Sequence, residues 1–221
     1  MRFYLVKMGF ADRAEAGRAL ADRLAKYAGR DDVVVLALPR GGVPVGFEIA
    51  RRLGAPLDVM IVRKLGVPWH KELAMGAIAS GGFRVMNVGV VAGSGVSRDE
   101  MNEVILCQQG ELERREYLYR EGRPALPLAE RTVVLVDDGI ATGATMRVAA
   151  QAARAGHPAR LIVATPVAAP STLDALGKDA DEVVALLAPG ELSSIGEWYV
   201  DFAQLTDDEV RSLLAGARQE V

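Results

Sequence analysis

Much is missing from these 221 residues, and each absence narrows the field. There is a single cysteine, Cys107, so no intrachain disulfide can form, and an intracellular, cytoplasmic protein is the expectation. There is no excess of basic charge: 26 Lys and Arg stand against 29 Asp and Glu, a formal net charge of −3. A non-specific nucleic-acid binder needs a basic footprint, so no nucleic-acid partner is expected. No apolar run approaches the roughly eighteen residues that span a bilayer, so no membrane partner is expected either. Met1 to Phe10 carries neither a long apolar core nor a small-residue cleavage site, and reads as no signal peptide. There is no G-x-G-x-x-G. Alanine, not lysine, stands immediately before Thr145, so the Gly139–Thr145 stretch lacks the pattern of a nucleotide P-loop. Internal repeats, low-complexity tracts and a helix-turn-helix pattern are missing as well.

What is present is an ordinary globular balance, half hydrophobic and a quarter charged, at a length that suits one α/β domain over residues 1–221. Asp12 and Glu15 have capping-box spacing ahead of Ala16, Leu20 and Leu24, with Gly29 as a stop. Val33 to Leu38 is a continuous apolar run, as expected of a strand covered on both faces. A turn at Pro39-Arg40-Gly41-Gly42, a helix over 44–53 and a strand over 57–62 complete a βαβ pattern, the mark of a parallel sheet. Residues 63–73 lack periodicity and read as an exposed loop. Ala77–Ala79 and Phe83–Met86 flank Gly81-Gly82, a tight hairpin turn. Ser97 and Glu100 cap a charged helix to about Tyr119. Its buried stripe is Met101, Val104, Ile105 and Leu112, and Cys107 is expected to be packed. Residues 121–131 form a connector. Strands are expected over 132–136, 160–164 and 183–187, with helices to about Ala155 and over 171–176. Thr206 and Glu209 cap a last helix, with Leu205 and Val210 at hydrophobic-staple spacing.

The most informative segment is Val133-Val134-Leu135-Val136-Asp137-Asp138-Gly139-Ile140-Ala141-Thr142-Gly143-Ala144-Thr145. Two carboxylates stand at the C-terminal end of an apolar strand, the end that faces the ligand crevice of an open α/β sheet. A run of small residues then opens a helix. Gly139, Gly143 and Ala144 let a ligand approach the backbone, whose N–H groups and helix N-terminus suit a phosphate; Thr142 and Thr145 add hydroxyls. Asp137 and Asp138 would accept hydrogen bonds from vicinal sugar hydroxyls. The segment reads as a phosphate-plus-ribose site.

Val134 to Thr145 resembles the motif with which type I phosphoribosyltransferases bind 5-phosphoribosyl-1-diphosphate (PRPP). Over about 33–165 the chain is similar to the common core of that family. The resemblance implies a mainly parallel sheet flanked by helices, with a small variable hood from 1–12 and/or 188–206 and an insert at 80–131. It implies that Asp137 and Asp138 hold the ribose 2- and 3-hydroxyls, and that Gly139, Ile140, Ala141, Thr142, Gly143, Ala144 and Thr145 cradle the 5-phosphate. Arg40 and Gly41, in a turn that often carries a non-proline cis peptide, here near Arg40-Gly41, would meet pyrophosphate through backbone amides. Arg63 and Lys64, ending the second strand, would face it with positive charge, and the stretch that follows to about Met75 would be a mobile loop that closes over the site; without the resemblance the two read as a solvated basic pair at a strand end. His70 or Lys71 could contribute from the same loop. Trp198, Tyr199 and Phe202 are the candidate base-stacking hood, although Trp198 and Phe202 read equally well as core or interface anchors.

The implied reaction transfers the 5-phosphoribosyl group from PRPP to a nitrogenous base and releases pyrophosphate. Mg²⁺ would be held by substrate and water, with Asp137 or Asp138 touching it at most through water. Family members acting on hypoxanthine or guanine usually carry an aspartate where this chain has Ala141, so the adenine- or uracil-using branches are favoured. A PRPP- or nucleotide-binding regulator without turnover, or another phosphosugar-binding α/β protein, are the alternatives. The partners expected are PRPP and a small-molecule base, and dimers, common in the family, make a homodimer the implied assembly.

Overall fold

The computed structural model describes residues 9–219. Eight strands run β1 (Val33–Ala37), β2 (Leu57–Val59), β3 (Val62–Val67), β4 (His70–Ala79), β5 (Phe83–Met86), β6 (Thr132–Val136), β7 (Arg160–Val167) and β8 (Glu182–Leu187). The helices are α1 (Arg13–Arg23), α2 (Gly42–Leu53), α3 (Val88–Ser94), α4 (Arg98–Arg120), α5 (Ala144–Ala155), α6 (Pro170–Leu176) and α7 (Asp207–Ala217). Five parallel strands form the main sheet in the order β2-β1-β6-β7-β8, and β3-β4-β5 form a second, antiparallel sheet. The fold is therefore α/β, mainly parallel and flanked by helices.

The apolar strands explain the layering. β1 and β6 are buried at every position because both faces are covered. Val33, Val35, Ala37, Val134 and Val136 point into a core shared with α1, α2 and α7. Val34, Leu36, Val133 and Leu135 alternate to the other face and meet α5 and α6. The strand order reverses between β1 and β6, so the loops leaving their C-terminal ends border a switch-point crevice.

Local signals read in the sequence hold where short-range chemistry decides. The Ser97 and Thr206 capping boxes form, and Asp12 accepts from the Glu15 N–H at 2.7 Å. Gly81 and Gly82 turn the β4–β5 hairpin with φ of 78° and 75°, a pairing that residues bearing a Cβ rarely adopt.

Three expectations are corrected. The strand placed at 57–62 ends at Val59, because Ile61 and Ser80 exchange hydrogen bonds that turn the chain into the second sheet. The aperiodic loop at 63–73 is instead the β3–β4 hairpin, whose pairing shifts register on both sides of Gly66 and so hides its alternation. Cys107 is exposed rather than packed. Ile105, Leu112 and Tyr119 recur every seventh residue on the buried face of α4, and Cys107, two residues on from Ile105, projects to the opposite side. Helix α3 had no counterpart in the sequence reading.

Candidate functional site

Two loops meet at the switch point. The first follows β1 and contains Pro39–Gly42. Its cis peptide lies at Pro39–Arg40, one bond earlier than expected. The second follows β6 and runs from Asp137 to Gly143. The two are in van der Waals contact. A Cβ built on Gly41 would lie 2.0 Å from Asp138 Oδ2, and one on Gly42 would lie 2.6 Å from the Val136 carbonyl oxygen. Only glycine lets the first loop come so close to the acid pair.

The pair itself is asymmetric. Asp137 Oδ1 accepts from the Asp138 N–H at 2.9 Å. Burial pushes the Asp137 carboxyl well above the usual carboxylate range, and the neighbouring Asp138 charge adds to the effect. Asp138 is held from outside by Arg13, whose Nε donates to Oδ2 at 2.7 Å; the two side chains are 11% and 13% exposed. One acid is thus biased toward neutrality and its neighbour has a cation. Such a pair can both donate to and accept from a diol.

Past the acids, Ile140 is pinned by its N–H to the Val167 carbonyl at 2.9 Å, and the Ala141 carbonyl accepts from Thr172 Oγ1 at 2.7 Å. Gly143 sits in the left-handed region and serves as N-cap of α5. Ala141, Thr142, Ala144 and Thr145 are exposed. The first-turn amides of α5 have no intrahelical acceptor, and the Ala144 N–H donates only to the Thr142 hydroxyl at 3.5 Å, so this open rim joins weakly held donors to the positive end of the helix dipole.

The C-terminal segment folds over the acids. Tyr199 is buried, and its hydroxyl donates to the Asp138 carbonyl at 2.5 Å. Burial, with the nearby acids, raises its pKa. Its ring stacks on Phe202 at 5.0 Å and tilts against Phe10 at 5.7 Å. Phe10 N–H donates to the Trp198 carbonyl at 2.8 Å, so Trp198 takes part in the seam through its backbone. Ile195 covers Gly139, where an added Cβ would meet its Cγ2 at 2.2 Å. Residues 9–12 and 195–203 therefore come together beside the acid pair, where a hood was expected. The part of that expectation falling on residues 1–8 lies outside the described residues.

The basic side chains near the expected pyrophosphate site divide. Arg40 directs its guanidinium to the cap of α7, donating to the Leu205 carbonyl at 2.5 Å and pairing with Asp207 at 3.3 Å. Asp207 also accepts from Tyr119 at 2.6 Å, and burial followed by that bond pushes the Tyr119 hydroxyl to about 12. Arg63 donates twice to Gln108 Oε1 on α4, at 3.0 and 2.7 Å. Lys64, on the opposite face of β3, pairs with Glu72 at 2.8 Å and shares a cavity of about 290 Å³ with Ala144 and Thr145. Of the three basic residues, Lys64 is the one gathered to the phosphate-type loop. The sequence reading missed Arg13 and Ile195. Arg13 did leave a trace, since a basic side chain in the first turn of a helix opposes the macrodipole and calls for another reason to be there.

A mainly parallel α/β sheet with an acid pair and a small-residue loop at its switch point defines the class of fold. Within that class the family is shown: residues 11–196 match the phosphoribosyl transferase domain, and the chain belongs to that family. Over 211 residues it is 48% identical to a Mycobacterium tuberculosis protein (in strains CDC 1551 and H37Rv) that bears the name "putative phosphoribosyl transferase". That alignment takes in 96% of this chain but only 47% of the mycobacterial protein, so the chain spans about half the length of those relatives. The crystal structure of TT1426 from Thermus thermophilus superposes with a TM-score of 0.81 at 42% identity, covering 95% of this chain and 99% of that one.

Proposed function

We propose that the protein is a phosphoribosyltransferase that breaks the C1–oxygen bond of PRPP, joins C1 to a ring nitrogen of a base, and releases pyrophosphate. The observation that carries this reading is the abutment of Gly41 on the Asp138 carboxylate. It brings the turn after β1 and the acid-pair loop to one crevice, in a chain of the phosphoribosyl transferase family. Asp137 and Asp138 hold the ribose hydroxyls, Gly139–Thr145 the 5-phosphate, and the backbone around Gly41 the pyrophosphate. The protein's work is mainly positioning and charge stabilisation, because the transition state resembles an oxocarbenium ion.

Mg²⁺ is implied by the family. Among the described residues no group of three or more His, Cys, Asp or Glu side chains gathers. The acid pair offers hard oxygen donors, and a hard cation would be carried mainly by substrate oxygens and water, with Asp137 or Asp138 touching it through water. When bound, the ion would neutralise charge on the leaving pyrophosphate. Ala141 offers no carboxylate, which favours adenine- or uracil-like bases over 6-oxopurines; efficient turnover of hypoxanthine or guanine in a steady-state panel would refute that preference.

One observation favours a second reading, a regulator that binds PRPP or a nucleotide without turnover. The Arg40 and Arg63 guanidinium groups and the Lys64 ammonium each already have a partner within the chain, Lys64 with Glu72 at 2.8 Å. Calorimetry with PRPP and Mg²⁺, followed by pyrophosphate release across a panel of bases, separates the two. Binding with release supports the enzyme, and binding without release for every base supports the regulator. In a folded Asp137→Asn/Asp138→Asn variant PRPP affinity should fall at least about tenfold, the worth of one charge-assisted hydrogen bond. Unchanged affinity there would remove the ribose assignment.

A further inference from the structure

The strongest unassigned feature is a closed ring of contacts around the acid pair, and it runs through Arg13. The Arg13 Nε donates to Asp138 Oδ2 at 2.7 Å, and one terminal nitrogen donates to the Ala203 carbonyl at 2.9 Å. The guanidinium carbon lies 3.9 Å from the centre of the Phe202 ring. Phe202 stacks on Tyr199 at 5.0 Å, and Tyr199 returns to Asp138 through its hydroxyl at 2.5 Å. One side chain from the start of α1 thus holds the carboxylate of Asp138, while the segment that it also holds grips the carbonyl of the same residue.

We propose that Arg13 is a positioning residue for sugar recognition. It fixes the rotamer of Asp138 through Nε and locks residues 199–203 over the acid pair through Phe202 and Ala203. The inference rests on the ribose role of Asp137 and Asp138 proposed above. A carboxylate free to rotate would lose part of its hydrogen-bond energy to ordering at each binding event, and one already held does not. Three directional contacts at once, two donors and a stacking face, need the planar fork of arginine. A lysine ammonium supplies charge at one point only. Arg13 itself approaches Asp138 along one edge and needs no contact with substrate.

The test compares two sugars that differ at one of the two hydroxyls the acid pair would hold. Ribose 5-phosphate and 2-deoxyribose 5-phosphate are titrated calorimetrically into the full chain, with inorganic phosphate as a third probe. Wild type should favour ribose 5-phosphate by about tenfold, the value of one hydrogen bond to a charged group. In Arg13→Met that preference should fall to within about twofold, while phosphate binds as in wild type. Backbone hydrogen exchange over 199–203 should speed up in the same variant. Arg13→Lys, which keeps the charge, should lose most of the preference too, and it carries the test if Arg13→Met does not fold. A folded variant that keeps the wild-type sugar preference overturns the proposal, even if its exchange rises, because that pattern marks a residue serving stability alone. If wild type binds phosphate but shows no preference between the sugars, or binds none of the three, the ribose site itself fails, and that failure is seen before any Arg13 variant is read.

Discussion

Replacing Gly41 with alanine isolates the contact on which the site is built. Gly41 has φ −60° and ψ −35°, ordinary right-handed geometry, so alanine meets no backbone objection there. The objection is steric. The new methyl would sit 2.0 Å from Asp138 Oδ2 and 2.4 Å from its Cγ, more than an ångström inside van der Waals contact. A free carboxylate could swing aside, but this one is held by Arg13 at 2.7 Å. Relief therefore breaks the Arg13–Asp138 pair or pushes the two loops apart. Breaking a fully buried pair costs about 3–5 kcal/mol, and some water reaches this one, so a loss of about 2 kcal/mol is expected. In a chain of this size that is a fall of ~4–8 °C in melting temperature. PRPP affinity should drop at least about tenfold, since Asp138 is displaced directly. The assays are thermal melting and calorimetric titration of PRPP with Mg²⁺. A Gly41→Ala protein that melts within about a degree of wild type and binds PRPP equally well would show that the loops are not in contact as described, and the crevice argument would go with it.

Gly110→Ala is the counterpart: it lies inside α4 with nothing within 4 Å of an added Cβ, so it should stabilise by about 0.5–1 kcal/mol in urea melts. Arg120→Ala should cost about 3 kcal/mol by the same measurement, because Asp58, whose side chain is 8% exposed, loses its 2.8 Å partner and keeps its charge. Adding Asp58→Asn should recover part of that loss. Asp137 has a raised folded-state pKa, so its contribution to stability is fully present below the unfolded value of about 3.9 and is lost as pH rises through the folded one. Asp137→Asn carries no such loss; its urea midpoint should therefore gain on wild type from pH 4 to pH 8, and a constant difference would contradict the burial of this carboxyl. The same substitution should weaken PRPP binding, so stability and function move in opposite directions at this residue.

The parts of the fold legible in the sequence are those whose cause lies within a few residues. The Ser97 and Thr206 caps, the Gly81-Gly82 turn and the all-apolar β1 and β6 each satisfy a local rule, and nothing distant overrides it. The Asp137–Thr145 segment was legible for the same reason: acids, glycines and a helix start follow one another along the chain. The β3–β4 hairpin was not. Its alternation survives in Leu65, Val67, Met75 and Ala77, all buried, but two register shifts around Gly66 and an exposed start to β4 dissolve the pattern in a short window. Because Lys64 lies on that hairpin, the misreading placed it at the start of an exposed loop when it belongs to a paired strand beside Thr145.

Charges were legible as charges but not as partners. Arg13 and Asp138 are 125 positions apart, and Arg40 and Leu205 are 165 apart. No periodicity or cap connects either pair; only the folded sheet does. A site that depends on a turn after β1, a loop after β6 and a segment after β8 has its backbone elements written locally and its electrostatics written in tertiary contacts. That division explains why the small-residue loop at the start of α5 could be read from the chain alone while the guanidinium beside Asp138 could not. The Arg40 and Arg63 guanidinium groups, close to the binding motif in the chain, reach across to α7 and α4. A cation near a binding motif becomes a ligand-binding cation only after the carbonyls and carboxylates within its reach have been counted.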